Sequence, residues 1–397
     1  MKKAHKVVIV GGGFGGLKTA LELSNTPGID VTLVTDKDHF IYYPAIYATA
    51  TGGSRVQSIV PIENVIGDSG VTVIFDEVVG LDTNRKHVVG RAKHYDYDSV
   101  VFALGVVTTY FGIKGLDTYS YSIKSAHEVE RFKKHLHEEL TADRHLDKNY
   151  VIVGAGPTGV ELSAAMTTYL NEIATKHKVK HSRIRLDLVE AAPRVLPRMS
   201  EAASELVEKR LKKLGVRVMT GKTVEAEDDD SIMVSGKDIP SKTVVWTSGV
   251  SNHPFFKEHE DLFPLAKNGR VEVDEHMSVQ KDVYVIGDNA STPYTGLAQT
   301  ALHDAIFVSK VIKASVARRP LPRYKAVKPP VVVPAGTGWA IFEWGPMRLT
   351  GRPASWLRRA ADFIGYNDLL PLGLALGAWR AESIREESCP ICRVAPH

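Results

Sequence analysis

The chain has 397 residues, enough for two or three domains, and its 44% hydrophobic and 24% charged residues are ordinary for a soluble globular protein. A net charge of +4 is too weak to indicate a nucleic-acid-binding protein, although it would suit an anionic surface. The two cysteines, Cys389 and Cys392, both lie near the end of the chain. A disulfide framework is therefore excluded, and a reducing compartment is expected.

A strand, a glycine turn and a helix are the first predicted elements. The apolar run at residues 7–10 leads into Gly11, Gly13 and Gly16, which have the spacing of a dinucleotide-binding turn. In such a turn Gly11 allows the tight bend, Gly13 lets the backbone approach a pyrophosphate, and Gly16 lets the helix pack closely on the sheet. The phosphates are then expected at the N-terminus of the helix.

The second strand, at residues 30–34, is predicted to end at the acid that binds the first ribose. Thr35 and Asp36 both lie at the expected distance of ~20 residues beyond the last glycine, and Asp36 is the candidate. The unit closes with the buried run at residues 99–105, and a crossing to the next unit follows near residue 115.

The same unit occurs twice. The stretch YVIVGAGPTGVELSAAM repeats the opening of the chain, with Gly154, Gly156 and Gly159 in the three glycine roles. The run VVWTSG at residues 244–249 likewise repeats VVFALG at residues 100–105. The sequence therefore predicts two dinucleotide sites and electron transfer between two dinucleotides.

The second unit also contains a candidate ribose-binding acid. Residues 184–189 form a predicted strand that ends at Glu190. A carboxylate at this position hydrogen-bonds a ribose 2′-hydroxyl and repels a 2′-phosphate, which favours NADH over NADPH. Arg194 lies close enough to leave NADPH as the alternative.

Helix and strand patterns continue to the end of the second unit and beyond it. The remaining predicted elements, in chain order, are helices at residues 126–140 and 201–214, a buried strand at residues 283–286 that meets Gly287 and Asp288, a helix at residues 296–315, and a proline-rich linker at residues 319–334.

These motifs resemble the two-dinucleotide-binding-domain flavoprotein superfamily related to glutathione reductase. The resemblance implies an α/β fold of two Rossmann-like domains, with the NAD domain inserted in the FAD domain and a C-terminal amphipathic helical region. The expected boundaries are 1–115 and 251–322 for the FAD domain, 116–250 for the NADH domain and 323–397 for the C-terminal region. The residues expected to bind FAD or NADH are Gly11, Gly13, Phe14, Gly16, Asp36, Ala103, Gly105, Gly154, Gly156, Pro157, Thr158, Gly159, Glu190, Gly249, Gly287, Asp288, Ala298 and Gln299.

Two further stretches resemble type II NADH dehydrogenases, which are NADH:quinone oxidoreductases of the membrane surface. Glu161 in GPTGVELSAAM matches the family's acid near the nicotinamide. The segment AQTALH resembles the family's quinone-site pattern, but His303 replaces the second glutamine after Gln299. The two side chains share one helix face, and His303 could deliver a proton, since the reference pKa of histidine is ~6.5. The expected catalytic residues are thus Glu161, Gln299 and His303.

The position of the cysteines restricts the electron acceptor. No cysteine precedes Cys389, so the cysteine-dependent disulfide reductases and sulfide:quinone oxidoreductases are disfavoured. The resemblance implies an enzyme that passes hydride from NADH to FAD and two electrons on to a quinone, without pumping protons. Two alternatives remain: a soluble NAD(P)H-dependent flavoprotein reductase with a protein or small-molecule acceptor, and a redox-sensing flavoprotein.

The C-terminal region is predicted to lie on a membrane surface. No apolar run reaches the ~18 residues that span a bilayer. Trp356, Ala360, Phe363 and Ile364 share one face of a predicted helix, and a short apolar segment at residues 369–379 follows. Such segments suit a surface-lying anchor, while a dimer interface or a helix packed on the FAD domain is the alternative. The expectation is a homodimer on the cytoplasmic side of the cell membrane.

The pair Cys389 and Cys392 has the spacing of half a zinc site. His397 could add a third ligand, but a structural site requires four, so a disordered tail is favoured. His135, His137 and His145 lack a coherent metal spacing and are interpreted as an exposed helix face. No metal site is predicted.

Overall fold

The computed structural model describes residues 4–142, 148–179, 184–387 and 389–393. The elements up to residue 119 are strands β1 (His5–Val10), β2 (Ile29–Thr35), β3 (His39–Ile41), β4 (Ile59–Pro61), β5 (Thr72–Phe75), β6 (Val78–Asp82), β7 (His87–Gly90), β8 (His94–Asp96), β9 (Ser99–Phe102) and β10 (Val106–Thr108), with helices α1 (Phe14–Leu23), α2 (Ile46–Ala50), α3 (Ile62–Ile66) and α4 (Leu116–Tyr119).

The middle of the chain alternates helices and strands before it ends in a long helix. Its elements are α5 (Ala126–Ala142), β11 (Lys148–Val153), α6 (Pro157–Lys176), β12 (Ile184–Glu190), α7 (Glu201–Lys213), β13 (Val216–Thr220), β14 (Val224–Glu227), β15 (Ser231–Val234), β16 (Lys237–Pro240), β17 (Thr243–Trp246), β18 (Val250–Asn252), α8 (Pro254–Glu258), β19 (Ser278–Gln280), β20 (Val283–Val285) and α9 (Ala298–Val316).

The first parallel sheet has the strand order β19-β20-β9-β1-β2-β5. Strands β1, β2, β5, β9 and β20 run parallel, and only the edge strand β19 is antiparallel. The last four residues of β1, Val-Val-Ile-Val, are all buried, as expected of a parallel strand that is covered on both faces. Helices α1 and α9 pack against each other beside this sheet, so an early and a late helix share one core.

The second parallel sheet has the order β13-β12-β11-β17. Its register repeats that of the first sheet, because β11 pairs with β12 and β17 as β1 pairs with β2 and β9. Each unit also carries a three-stranded antiparallel sheet, β6-β7-β8 in the first and β14-β15-β16 in the second. The predicted duplication is thus confirmed at the level of strand pairing.

Strands β10 and β18 pair antiparallel where the chain crosses between the two sheets. The chain leaves the first sheet after β9, builds the second sheet, and returns to the first sheet as β19 and β20. The elements of the second sheet are therefore inserted into the first unit. The predicted helices at residues 126–140, 201–214 and 296–315 are confirmed as α5, α7 and α9.

The C-terminal region differs from its prediction because it begins with a sheet. Strands β21 (Val331–Pro334), β22 (Ala340–Trp344) and β23 (Met347–Gly351) form an antiparallel sheet on which helix α10 (Arg352–Asn367) packs. Helices α11 (Leu372–Arg380) and α12 (Pro390–Arg393) follow. The end of the predicted linker at residues 319–334 is thus an edge strand, where a proline at the strand end is tolerated.

Candidate functional site

The first glycine turn has the geometry that a dinucleotide pyrophosphate requires. Gly11 adopts φ +110°, and a Cβ atom there would overlap the carbonyl oxygen of Ala103. A Cβ atom on Gly16 would overlap the carbonyl oxygen of Gly11, so this glycine lets α1 approach the sheet. Gly13, in contrast, faces space with no atom within 4 Å of an added Cβ. Phe14 begins α1 and is buried against Phe40.

The second glycine turn reproduces this arrangement. Gly154 has φ +104°, Gly159 lies against the carbonyl oxygen of Gly154, and Gly156 faces open space. Pro157, which has no backbone N–H, and Thr158 are the first two residues of α6, and the N–H groups of Thr158 and Gly159 have no partner within the helix. Both turns can therefore hold a pyrophosphate at a helix N-terminus.

The two predicted ribose acids differ in how they are held. Glu190, at the end of β12, accepts hydrogen bonds from the N–H groups of Ala155 at 2.6 Å and Ala192 at 2.8 Å, so its carboxylate lies beside the second glycine turn. Asp36 follows β2 and is exposed, with its carboxylate 3.9 Å from the Lys37 ammonium. Glu190 is the more firmly positioned of the two.

Arg194, the residue that left NADPH open, donates its hydrogen bonds to protein groups. Its Nη1 atom donates to the Met199 carbonyl and the Ser204 hydroxyl, both at 2.7 Å, and its Nη2 atom donates to the Pro197 carbonyl at 2.7 Å. These contacts hold the guanidinium within its own loop. The arrangement favours NADH, because Arg194 could bind the 2′-phosphate of NADPH only by giving up these hydrogen bonds.

An asparagine that the sequence motifs did not indicate joins the crossing strands to the first sheet. The buried Asn289 accepts a hydrogen bond from the Gly105 N–H at 2.8 Å and donates to the Gly105 carbonyl at 2.5 Å and to Asn252 at 2.7 Å. Ala103 is buried directly after β9, and Gly249, with φ +77°, occupies the position in the second unit that Gly105, with φ +72°, occupies in the first. These contacts fix the backbone at the junction of the two units.

The late Gly-Asp motif lies at the end of the first sheet, beside a buried lysine. Gly287 has φ +65°, and the Asp288 carboxylate accepts a hydrogen bond from the Gly296 N–H at 2.9 Å. Among the described residues the buried Lys124 ammonium has no hydrogen-bond partner. Burial lowers the pKa of Lys124 to about 8, while Glu128 and Asp288 oppose this effect. An unpartnered ammonium here fits a polar or anionic ligand atom.

Helix α9 presents Gln299 and His303 in different surroundings. Gln299, the second residue of the helix after Ala298, is exposed. The Nε2 atom of His303 lies 3.0 Å from the Lys325 carbonyl oxygen, so this nitrogen carries the proton, and the ring packs on Tyr324. The structure thus gives His303 a contact with the segment that follows α9.

Asp304, next to His303, is a buried acid that the sequence motifs did not indicate. Its carboxylate accepts hydrogen bonds from the Gly287 N–H at 3.0 Å and from the Tyr324 hydroxyl at 2.6 Å. Burial raises its pKa to about 6, and the two hydrogen bonds oppose this shift. Asp304 therefore links α9 to the Gly-Asp turn.

Glu161 is buried against a charged face of the C-terminal region. The Arg358 guanidinium on α10 donates to the Glu161 carboxylate at 3.1 Å, to Asp362 at 2.8 Å and to the Pro44 carbonyl at 2.5 Å. Burial raises the pKa of Glu161 to about 7, and the charge of Arg358 opposes this shift. The sequence motifs indicated neither Arg358 nor Asp362, so their role here was missed.

The sequence profile of the pyridine nucleotide-disulphide oxidoreductase family matches residues 5–305. A type II NADH:quinone oxidoreductase from Staphylococcus saprophyticus is 26% identical over 393 residues, which cover 93% of this chain and 97% of that relative. The Mycobacterium tuberculosis protein with the name type II NADH:quinone oxidoreductase Ndh is 31% identical over 342 residues, covering 79% of this chain and 73% of that relative.

Solved structures show the same fold. The structure of NDH2 from Plasmodium falciparum in complex with NADH superposes with a TM-score of 0.85 at 18% identity, covering 96% of this chain and 97% of that chain. The predicted fold class, with its two dinucleotide-binding domains, is thus confirmed.

Proposed function

The chain belongs to the pyridine nucleotide-disulphide oxidoreductase family and, within it, to the type II NADH:quinone oxidoreductases, and we propose that it transfers two electrons from NADH, through FAD, to a membrane quinone without pumping protons. The observation that carries this proposal is the pair of glycine turns, each at the end of the central strand of its own parallel sheet. The division of strands between the sheets supports an FAD domain of residues 1–115 and 251–322, an NADH domain of 116–250 and a C-terminal region of 323–397.

The first unit would hold FAD. Gly13 and the N-terminus of α1 take the pyrophosphate, Asp36 takes the adenosine ribose, and Asp288 takes hydroxyls of the second half of the cofactor. The unpartnered Lys124 ammonium supports this assignment, since a polar cofactor atom would satisfy it. Bound FAD supplies the ring that accepts hydride from NADH and releases two electrons to the quinone.

The second unit would hold NADH. The open backbone at Gly156 admits the pyrophosphate, and the Glu190 carboxylate, which its two N–H donors orient, receives the ribose 2′-hydroxyl. The hydrogen bonds of Arg194 within its loop support NADH as the coenzyme. The protein thus contributes mainly position, and the bonds of Asn289 to Gly105 and Asn252 would help to hold the two units in place.

The acceptor would approach the N-terminus of α9, where Gln299 is exposed. We assign Gln299 as the residue that contacts the quinone, while His303 lies one turn behind it. Glu161, on α6, is held by Arg358 of the C-terminal region. The pKa of Glu161 at about 7 would allow this carboxyl to hold or release a proton near neutral pH. The only cysteines, Cys389 and Cys392, lie in the tail, which argues against a dithiol acceptor.

The outer face of the C-terminal region supports attachment to a membrane surface. Trp356 is 73% exposed and Ile364 is 61% exposed on α10, while Leu372 on α11 is 59% exposed. The exposed arginines Arg359 and Arg380 lie on the same two helices and would meet anionic lipid headgroups. In the part of the chain that the structure describes, no helix is long and apolar enough to cross a membrane. A surface-bound enzyme on the cytoplasmic side, with quinone entering from the lipid, is the form we propose.

The hairpin of β22 and β23 carries further apolar side chains. Trp344 and Met347 are more than half exposed at its turn, and Leu349 is partly exposed beside them. Large apolar patches at the surface commonly mark contacts with lipid or protein. We propose that this hairpin joins two copies of the chain into a homodimer, which would enlarge the membrane-facing surface.

Substituting Gln299 with alanine tests the acceptor site. Anaerobic rapid mixing with NADH should bleach the flavin at the wild-type rate, while reoxidation by a short-chain quinone should slow about tenfold, equivalent to ~1.4 kcal/mol of lost transition-state contact. Lys310→Ala, at an exposed position on the same helix, is the matched control and should change neither step. Equal slowing of both steps in Gln299→Ala would contradict the assignment.

The same assay separates two roles for His303. If His303→Ala keeps the wild-type Tm and is bleached normally by NADH but reoxidises more slowly, the ring contributes to quinone reduction. If reoxidation matches wild type at every pH while the Tm falls, the histidine serves only to hold residue Lys325. Flavin that is bleached by NADH and never recovered by any quinone would overturn the proposed function as a whole.

Membrane attachment is tested by the double substitution Trp356→Glu and Ile364→Glu. Binding to vesicles that contain anionic lipid should weaken about a hundredfold or more, because each large apolar side chain contributes about 1.5–3 kcal/mol when it leaves water. NADH oxidation with a water-soluble quinone should persist, since both side chains point away from Arg358. Leu206→Glu, an exposed leucine on α7, is the matched control. Undiminished vesicle flotation of the double variant would rule out this anchor.

A further inference from the structure

The fold brings four potential metal ligands from three distant parts of the chain to one point. They are His137 on α5, His177 at the C-terminal end of α6, and Cys389 and Cys392 in the tail. One ligand atom from each lies within 4.8 Å of all the others. We propose that these residues bind a structural Zn²⁺ ion, which fastens the tail to the second unit.

The distances match tetrahedral zinc. The two Nε2 atoms lie 3.0 Å apart, the Cys389 Sγ atom is 3.4 Å from the His177 Nε2 atom, and the Cys392 Sγ atom is 3.3 Å from the His137 Nε2 atom. Zinc bonds of about 2.0–2.1 Å to nitrogen and 2.3 Å to sulfur give tetrahedral edges of roughly 3.3–3.8 Å. These three separations are up to a few tenths of an ångström shorter than tetrahedral edges, and all four ligand atoms lie within 4.8 Å of one another, so modest shifts of the side chains would let them receive the ion.

The chemistry of the ligand set selects zinc over harder cations. Two thiolates and two imidazoles in a tetrahedron are the preferred surroundings of Zn²⁺, and carboxylate-preferring Mg²⁺ or Ca²⁺ would find no oxygen ligand among them. Binding displaces the two thiol protons, so the ion and the two thiolates together carry no net charge. Such a neutral centre suits a place where Cys392 is buried.

Other contacts hold the tail in place beside the proposed site. The Lys176 ammonium donates to the Cys392 carbonyl at 2.8 Å, and the Lys133 ammonium donates to the Glu386 carbonyl at 3.0 Å. Further along, the Glu386 carboxylate accepts a hydrogen bond from the Arg55 N–H of the first unit at 2.7 Å. The tail thus contacts both units, and the ion would close this connection at its far end.

The role is structural because the site is closed and remote. Four protein ligands leave no open coordination position for a substrate. His177 follows the last residue of α6, and the nucleotide turn lies at the other end of this 20-residue helix, about 30 Å away at 1.5 Å per residue.

The sequence did not indicate this site because neither histidine is close to the cysteines along the chain. His135 and His137 are part-buried rather than on an exposed face, and His145 and His397 lie outside the described residues.

Metal analysis of the full-length chain, purified without a polyhistidine tag from zinc-containing medium, tests the proposal. We expect about one zinc per chain, with X-ray absorption showing two sulfur and two nitrogen ligands. Cys389→Ser with Cys392→Ser should reduce the zinc to background while flavin content stays at the wild-type level. His135→Gln is the matched control, because this histidine lies on α5 but bonds to Thr243, and it should keep the zinc.

A second measurement covers the case in which the double variant folds poorly. Wild-type protein stripped by a chelator and titrated with Co²⁺ should develop the absorption of tetrahedral thiolate coordination at about one equivalent, and zinc should abolish it. Wild-type protein that carries no zinc and gives no cobalt spectrum, a Cys389–Cys392 disulfide in place of metal, or zinc retained by the double variant would each overturn the proposal.

Discussion

Gly16→Ala should leave little folded, flavin-containing protein. The added Cβ atom would overlap the Gly11 carbonyl oxygen, which is backbone and cannot rotate away. To avoid this overlap, α1 would have to move away from the first sheet, which would also disturb its packing against α9. We expect a loss of more than about 3 kcal/mol of stability, at the upper end of overpacking costs. Soluble yield, circular dichroism and flavin content would measure it.

Gly13→Ala, three residues earlier in the same turn, is the matched substitution. Gly13 has φ −88° and no atom within 4 Å of an added Cβ, so an alanine fits the protein without strain. This variant should fold as wild type does but retain less flavin, because the methyl group occupies the path of the pyrophosphate. If Gly16→Ala folds normally, or if Gly13→Ala keeps its full flavin content, the proposed division of roles in this turn is wrong.

Arg358→Met should destabilise the protein by about 3–5 kcal/mol, the usual cost of removing one partner from a buried ion pair. The buried Glu161 carboxyl and the partly buried Asp362 carboxyl would then lose their shared cation. Arg359→Met is the matched control, because Arg359 pairs with Glu382 at the surface and such pairs contribute within about 1 kcal/mol. Arg358→Lys keeps a charge at the site and should recover part of the loss. Urea unfolding of all three variants measures these differences.

The deficit of Arg358→Met should also grow with pH. In the folded wild-type protein the pKa of Glu161 is raised from 4.5 to about 7, so the folded state binds a proton more tightly than the unfolded state does. The stability that Glu161 contributes therefore falls as the pH rises from about 4.5 to about 7. Without Arg358 the pKa of Glu161 would rise further and this loss would continue above pH 7. A deficit that is equal at pH 6 and pH 8 would contradict the buried-charge explanation.

The predictable parts of the structure are those that short, local sequence patterns determine. Gly11, Gly13 and Gly16 are restricted by their own turn, so their spacing was sufficient to place a strand before them and a helix after them. Glu190 could be located in the same way, because it ends the strand that pairs beside the second turn. These features depend on neighbours within a few residues of the chain or on an adjacent parallel strand.

The parts that were missed depend on contacts between distant segments. Glu161 and Arg358 are separated by 197 positions, and nothing near either residue indicates its partner. The sequence around Asn289 does not indicate a structural role. Its partners Gly105 and Asn252 come close to it only because the crossing strands bring them there. The small sheet from β21 to β23 was concealed by short strands beside a proline-rich stretch. In each case the tertiary fold supplies the signal, and local propensity does not.

Helix α10 turns Trp356 and Ile364 outward and Arg358 and Asp362 inward, the reverse of a helix on a water-soluble surface. This reversal means that α10, although its outer face is apolar, is an integral part of the fold. A truncation before α10, made to obtain a more soluble fragment, would therefore damage the rest of the protein. Cutting α10 away would remove the counter-ion of Glu161 together with Tyr366, whose ring stacks on Tyr42. A more soluble variant would therefore need polar substitutions on the outer face of α10, with the residues of its inner face unchanged.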